Sequence, residues 1–162
     1  MSDTNTYDAI VVGSGISGGW AAKELSEKGM KTIELERGRN IETVKDYPTA
    51  MSESWDFKHR YRPNKEDKEI YYIQSQTGQF NEASKHWWVR DVDSPYQTPE
   101  EKPFTWIRGY HVGGRSIMWG RQSYRWSEMD FNANAKDGIG VPWPVTYDEI
   151  APWYDYVEQF AG

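Results

Sequence analysis

Two stretches hold residues whose types and spacing could do chemistry: VVGSGISGG at 11–19 and GYHVGGRSIMWG at 109–120. In the first, Gly13, Gly15 and Gly18 form a G-x-G-x-x-G pattern. Gly13 permits a tight turn, Gly15 lets the backbone approach a pyrophosphate, and Gly18 allows a helix to lie close on a strand. Around them Ser14, Ile16 and Ser17 offer backbone N–H groups at the start of a helix, where the helix dipole adds partial positive charge. Glu36 stands 18 residues past Gly18. There an acidic side chain can accept hydrogen bonds from both hydroxyls of an adenosine ribose and repels a 2′-phosphate. The chemistry is the grip on an adenine dinucleotide. The fingerprint does not separate NAD from FAD, and the continuation Glu36-Arg37-Gly38-Arg39 leans toward a flavin.

The elements that must position these residues can be read around them. Residues 7–12, YDAIVV, are a short β-branched run ending in glycine and predict a fully buried strand. Residues 16–28 carry Ile16, Trp20 and Leu25 at helical spacing before Gly29 stops the helix. Residues 31–36, KTIELE, predict a second strand. The order β-α-β within about 30 residues is the context that the fingerprint requires. The fold class expected is α/β, an FAD/NAD(P)-binding Rossmann-like doubly wound sheet, present only in part because two strands do not complete it. Three segments follow from this: a βαβ dinucleotide-binding unit at 1–39, an irregular excursion at 40–104, and a second glycine box with a following helix at 105–162.

The second box has adjacent Gly113 and Gly114, then Ser116, Trp119 and Gly120. This stretch resembles the second signature of the glucose-methanol-choline (GMC) oxidoreductases, FAD enzymes that oxidise alcohols. Its GGxSxxW form is most similar to the sugar-oxidising branch of gluconate and sorbose dehydrogenases, pyranose oxidases and glucoside 3-dehydrogenases. The segment WPVTYDEIAPWYDYVEQF at 143–160 resembles the one that opens a helix after the box in that branch. The resemblance implies FAD as cofactor, hydride transfer from a pyranose C–OH to the flavin, a keto-sugar product, and reoxidation by a separate acceptor or by oxygen. FAD is longer than its ADP half, so a second backbone loop must press on the flavin end, and glycines without Cβ allow it. On this reading Ser116 donates to a phosphate or ribityl oxygen, and Trp119 and Gly120 lie by the isoalloxazine. A glycine-bearing turn with a core tryptophan is the plainer alternative.

The resemblance also implies what is missing. The family's catalytic histidine and its His or Asn partner lie near the end of a chain roughly three times longer. None of His59, His86 and His111 matches them, and no catalytic residue is assigned. The chain therefore reads as the N-terminal piece of a larger enzyme, its substrate domain absent. Pyranose oxidases read GGxSxHW, with the flavin carried on the histidine; Met118 occupies that position here, so FAD is expected to be held non-covalently.

Composition narrows the partners. The net charge of -6 gives no electrostatic case for nucleic acid or an anionic membrane. Without cysteine there is no disulfide or thiolate ligand, and no metal site is assigned. Mean hydropathy is -0.90, yet aromatics make up 15% of the chain, too many for a solvated tail. Such a chain has surfaces to bury against parts not present here, and the resemblance implies a sugar substrate with a partner subunit or electron acceptor beside it. KHRYRPNKEDKE at 58–69 is expected to be an exposed loop. The segment 81–96, with adjacent Trp87 and Trp88, is expected to be an arm packing on another subunit or on further chain. No apolar run reaches the length of about 18 that a membrane span needs, and no signal peptide opens the chain. A cytoplasmic location is the default, with periplasmic export on a partner subunit as the alternative. Two other functional classes compete: a non-catalytic nucleotide-binding or interaction module, and an NAD-dependent dehydrogenase, in which the GGRSIMWG box has no job.

Overall fold

The computed structural model describes residues 5–162 and divides into two compact units, one ending at Gly120 and the other Arg121–Gly162. The first unit opens with strand β1 (Ala9–Val12), helix α1 (Ile16–Glu27) and strand β2 (Thr32–Leu35). β1 and β2 are parallel, with Ala9 opposite Thr32 and Val12 opposite Leu35. Parallel neighbours cannot be joined by a tight turn, and α1 is the crossover that packs on both strands. Lys28 caps the helix, and Gly29, at φ +85°, turns the chain back toward β2.

The β-α-β order matches the sequence reading, but the burial of the first strand does not. β1 is shorter than residues 7–12, and only Val11 is buried, whereas Ile10 is 65% and Val12 82% exposed. Alternate side chains leave opposite faces of a strand, and one helix covers one face.

Residues 40–104 hold one short helix and three 3-10 turns, and they build the principal core of this unit. Tyr71, Phe80 and Trp88 pack together, with Ile70, Trp87, Ile107 and Met118 against them. The expectation for 58–69 is corrected in part: the stretch runs into helix α2 (Lys65–Ile70). Asn64 accepts from the Asp67 N–H to cap α2, and buried Asp67 pairs with Lys85 at 2.7 Å. Trp88 is likewise not an outward-facing arm residue. It follows a single 3-10 turn, Lys85–Trp87, and turns inward, 6.0 Å from Phe80 in an edge contact.

The second unit holds α3 (Glu128–Asp137) and α4 (Tyr147–Ala161). Ser127 and Thr146 each begin a capping box, with Asp130 and Glu149 as the reciprocal acids. Arg125 fastens α4 through Asp155 and Glu158, both at 2.6 Å. Trp126, Phe131 and Trp143 form an aromatic cluster of edge and tilted contacts. The helix expected within 143–160 is α4; nothing in the sequence reading anticipated α3.

Candidate functional site

The site is built on the turn between β1 and α1. Gly13, at φ +92°, makes the turn, and its N–H donates to Leu35 O at 2.7 Å, tying it to the end of β2. Gly15 is the extended N-cap residue of α1. No side chain caps this helix, and its first turn carries no acid. By contrast α2, α3 and α4 each close their own start with a capping box and acidic residues. The first-turn N–H groups of α1 are therefore left without a side-chain acceptor, an arrangement suited to an anion. Gly18 is needed for packing, because a Cβ there would strike the Gly13 carbonyl. A Cβ on Gly15 would meet nothing within 4 Å and would project into open space.

The second glycine box comes to the same place. Gly113 at φ +88° and Gly114 at φ +57° both adopt left-handed backbone, the conformation that glycine tolerates, and lead into a 3-10 turn, Gly114–Ile117. The Gly113 N–H donates to Ser14 Oγ at 2.9 Å. Gly114 lies so close to the first loop that a Cβ on it would sit 3.1 Å from Gly15 Cα. Between the loops is a cleft of about 460 Å3, walled by Val12, Gly13, Gly15, Ile16, Ser17 and Gly18 on one side and Arg115, Ser116 and Trp119 on the other. The two glycine stretches far apart in sequence thus meet at one cleft.

Glu36 stands behind the first loop. Its Oε2 accepts from Ser14 N at 2.7 Å and Ser14 Oγ at 2.6 Å, and its Oε1 accepts from Gly38 N at 2.5 Å. These donors, the Ser14 hydroxyl foremost, hold its carboxyl down from 4.5 to about 2. Arg37 turns away to stack on Tyr110, its guanidinium carbon 4.1 Å from the ring centroid. Ser116 spends its hydroxyl on the Gly113 carbonyl within the turn. Trp119 lines the cleft and is half-exposed, while Gly120 has open space around it. Met118 packs against the Tyr71–Phe80–Trp88 core and is absent from the cleft wall.

Two features went unread in the sequence. Arg115, the x of GGxS, is the one charged residue among the described residues of the cleft wall. The other is a buried polar knot that positions the approach to the second box. Asp91 accepts from Arg108 Nη2 at 2.9 Å, from Gln74 Nε2 at 3.0 Å and from the Ile73 and Gln74 N–H groups. Gln74 Oε1 accepts from Arg108 N at 2.7 Å, and Arg108 Nη1 donates to Ser94 O at 2.7 Å. Asp91 and Gln74 are fully buried and Arg108 is nearly so. Beyond the knot, Val112 N donates to Arg39 O at 2.9 Å, within a parallel bridge of Arg39 and His111.

His111 and His86 do not reach the cleft. They flank Trp87, with ring centroids 5.3 and 4.5 Å from it, and line a separate cavity of about 250 Å3. Burial first, and then the Arg39 charge, pushes both imidazoles below their ordinary value of 6.5. Both are therefore neutral at physiological pH. No helix among the described residues is long and apolar enough to cross a membrane.

No family model matches the chain. Similarity to curated proteins runs almost end to end at low identity. It is 26% identical over 99% of its length to the gluconate 2-dehydrogenase flavoprotein of Pantoea cypripedii, covering 26% of that protein. It is 25% identical over 99% of its length to paromamine 6'-oxidase of Streptomyces fradiae, covering 24% of that protein. To the fructose dehydrogenase large subunit of Gluconobacter japonicus it is 23% identical over 94% of its length, covering 26% of that subunit. The chain thus spans about a quarter of the length of the curated relatives it matches, and those relatives are named as dehydrogenases and oxidases.

Proposed function

We propose that the cleft binds FAD non-covalently and that the protein is an oxidoreductase acting on CH–OH groups, with a pyranose sugar or glycoside as substrate and a keto-sugar as product. The observation that carries this reading is the meeting of the two glycine loops at one cleft whose wall combines an uncapped helix start with Arg115. The residues present fit an adenine dinucleotide. Backbone N–H groups of Ile16, Ser17 and Gly18 and the Arg115 guanidinium would hold the pyrophosphate, and Glu36 would hold the adenosine ribose. The open space in front of Gly15 is what a Cβ would fill. The relatives' names, one of them a flavoprotein, favour FAD over NAD.

When bound, the flavin supplies a two-electron acceptor for the hydride of the alcohol carbon. The chain's own residues bind and orient it. Of the described residues lining the cleft only Arg115 is charged, and an arginine does not give up its proton at working pH. No base for the substrate hydroxyl is assigned among the residues lining the cleft. Met118, turned into the core, leaves the cleft without the side chain at that position, in keeping with non-covalent binding.

Calorimetric titration of the cofactor-free protein tests the reading. FAD should bind, NADP should not, and Arg115→Met should weaken FAD about ten- to a hundredfold through loss of a charge-assisted contact. Equal binding of NAD and FAD, or none of either, would contradict it.

A further inference from the structure

Ser14 belongs to the first loop, yet it is not among the residues that line the cleft. It instead joins three separate pieces of the site. Its Oγ donates to Glu36 Oε2 at 2.6 Å and accepts from Gly113 N at 2.9 Å, while its own N–H donates to the same carboxylate oxygen at 2.7 Å. A hydroxyl has one proton and two lone pairs, and here the proton goes to the acid and a lone pair to the second loop. On its other side Gly113 opens the 3-10 turn, its carbonyl accepting from Ser116 Oγ and Ser116 N. Gly114 sits against Gly15 at the adjoining position, so the contact fixes how closely the second loop approaches the first.

Resting on the FAD reading above, we propose that Ser14 is a positioning residue whose hydroxyl fastens the second glycine loop to the acid that holds the ribose, so that one carboxylate sets both walls of the cleft. A hydroxyl polarised by a carboxylate is a stronger acceptor, and the chain Gly113 N–H, Ser14 O–H, Glu36 is ordered to use this. Glu36 stays ionised across the physiological range, so the fastening does not come and go with ordinary changes in pH. The consequence is a division of labour. The adenosine and pyrophosphate end is gripped by Glu36 and the start of α1, which survive loss of the hydroxyl because the Ser14 N–H still reaches Glu36. The part of the cofactor that leans on the second loop loses its wall.

The test compares ADP with FAD. On the cofactor-free whole protein, dissociation constants of both ligands are measured for the wild type, Ser14→Ala and Ser14→Thr. Ser14→Ala should weaken FAD about five- to tenfold while changing ADP by less than about twofold, as expected for loss of one hydrogen bond. Ser14→Thr, which keeps the hydroxyl, should restore the wild-type ratio. Hydrogen exchange measured on the same samples without ligand should be faster in the 109–120 peptide of Ser14→Ala and unchanged in residues 16–27. If ADP and FAD weaken by the same factor, or if exchange at 109–120 is unaltered in Ser14→Ala, Ser14 does not position the second loop. Failure of the wild type to bind FAD would instead overturn the cofactor reading itself.

Discussion

On the proposed reading Glu36 has two roles, which its position in the sequence reveals unequally. Its distance from Gly18 made it legible as a ribose acceptor, but nothing local shows that Ser14 and Gly38 already donate to it, because those bonds depend on how the first turn folds back over β2. Glu36→Ala should weaken FAD about tenfold or more, since hydrogen bonds to a charged acceptor contribute roughly 1.5 to 3 kcal/mol each. Flavin retained after dialysis measures the loss, and unchanged retention would remove Glu36 from the site. The acid's lowered pKa means that its contribution to stability is complete above 4.5 and is lost as pH falls toward about 2. Buried His111 and half-buried His86 act at a higher window. His86 and His111 are held below 6.5, so the unfolded chain takes up protons below that pH while the folded one resists. The melting temperature should therefore begin to fall as pH drops below about 6.5, before any carboxylate titrates. His111→Gln should flatten that part of the profile; an unaltered slope would mean that the imidazole charges freely in the folded state.

Among the elements, β1, α1 and β2 could be read because each has a local cause: a β-branched run, a helical repeat and a glycine at each turn. The two glycines of the first loop make separable predictions. Gly18→Ala drives a Cβ into the Gly13 carbonyl and should cost about 1 to 3 kcal/mol of stability, read as a lower denaturation midpoint. Gly15→Val meets no neighbour at its Cβ and should melt like the wild type while losing the cofactor, because its side chain occupies the cleft. A yellow, fully loaded Gly15→Val protein would mean that the first loop faces something other than the pyrophosphate. The core of residues 40–104 was not legible for the complementary reason. Tyr71, Phe80 and Trp88 share no period, and what unites them is contact across turns that no local pattern announces. The segment 58–69 shows the same limit, since its charge suggested a solvated loop while Asp67 is buried by pairing with Lys85.

For the whole molecule, the link between the arm and the cleft is the Asp91–Gln74–Arg108 knot, which fixes the chain just before the second glycine loop. Removing one partner of a buried ion pair leaves the other charge uncompensated, so Asp91→Ala should destabilise the protein by about 3 to 5 kcal/mol in urea. The cleft itself rests on residues from both ends of this unit, which explains why either glycine pattern alone was ambiguous and the pair was informative. The central claim is that this cleft holds FAD without a covalent bond. Its most direct measurement is acid precipitation of the purified whole protein, followed by chromatography of the supernatant. The account predicts FAD released into solution in amounts approaching one per chain, with a colourless pellet. Flavin remaining in the pellet, or a purified protein from which no FAD is released, would contradict it.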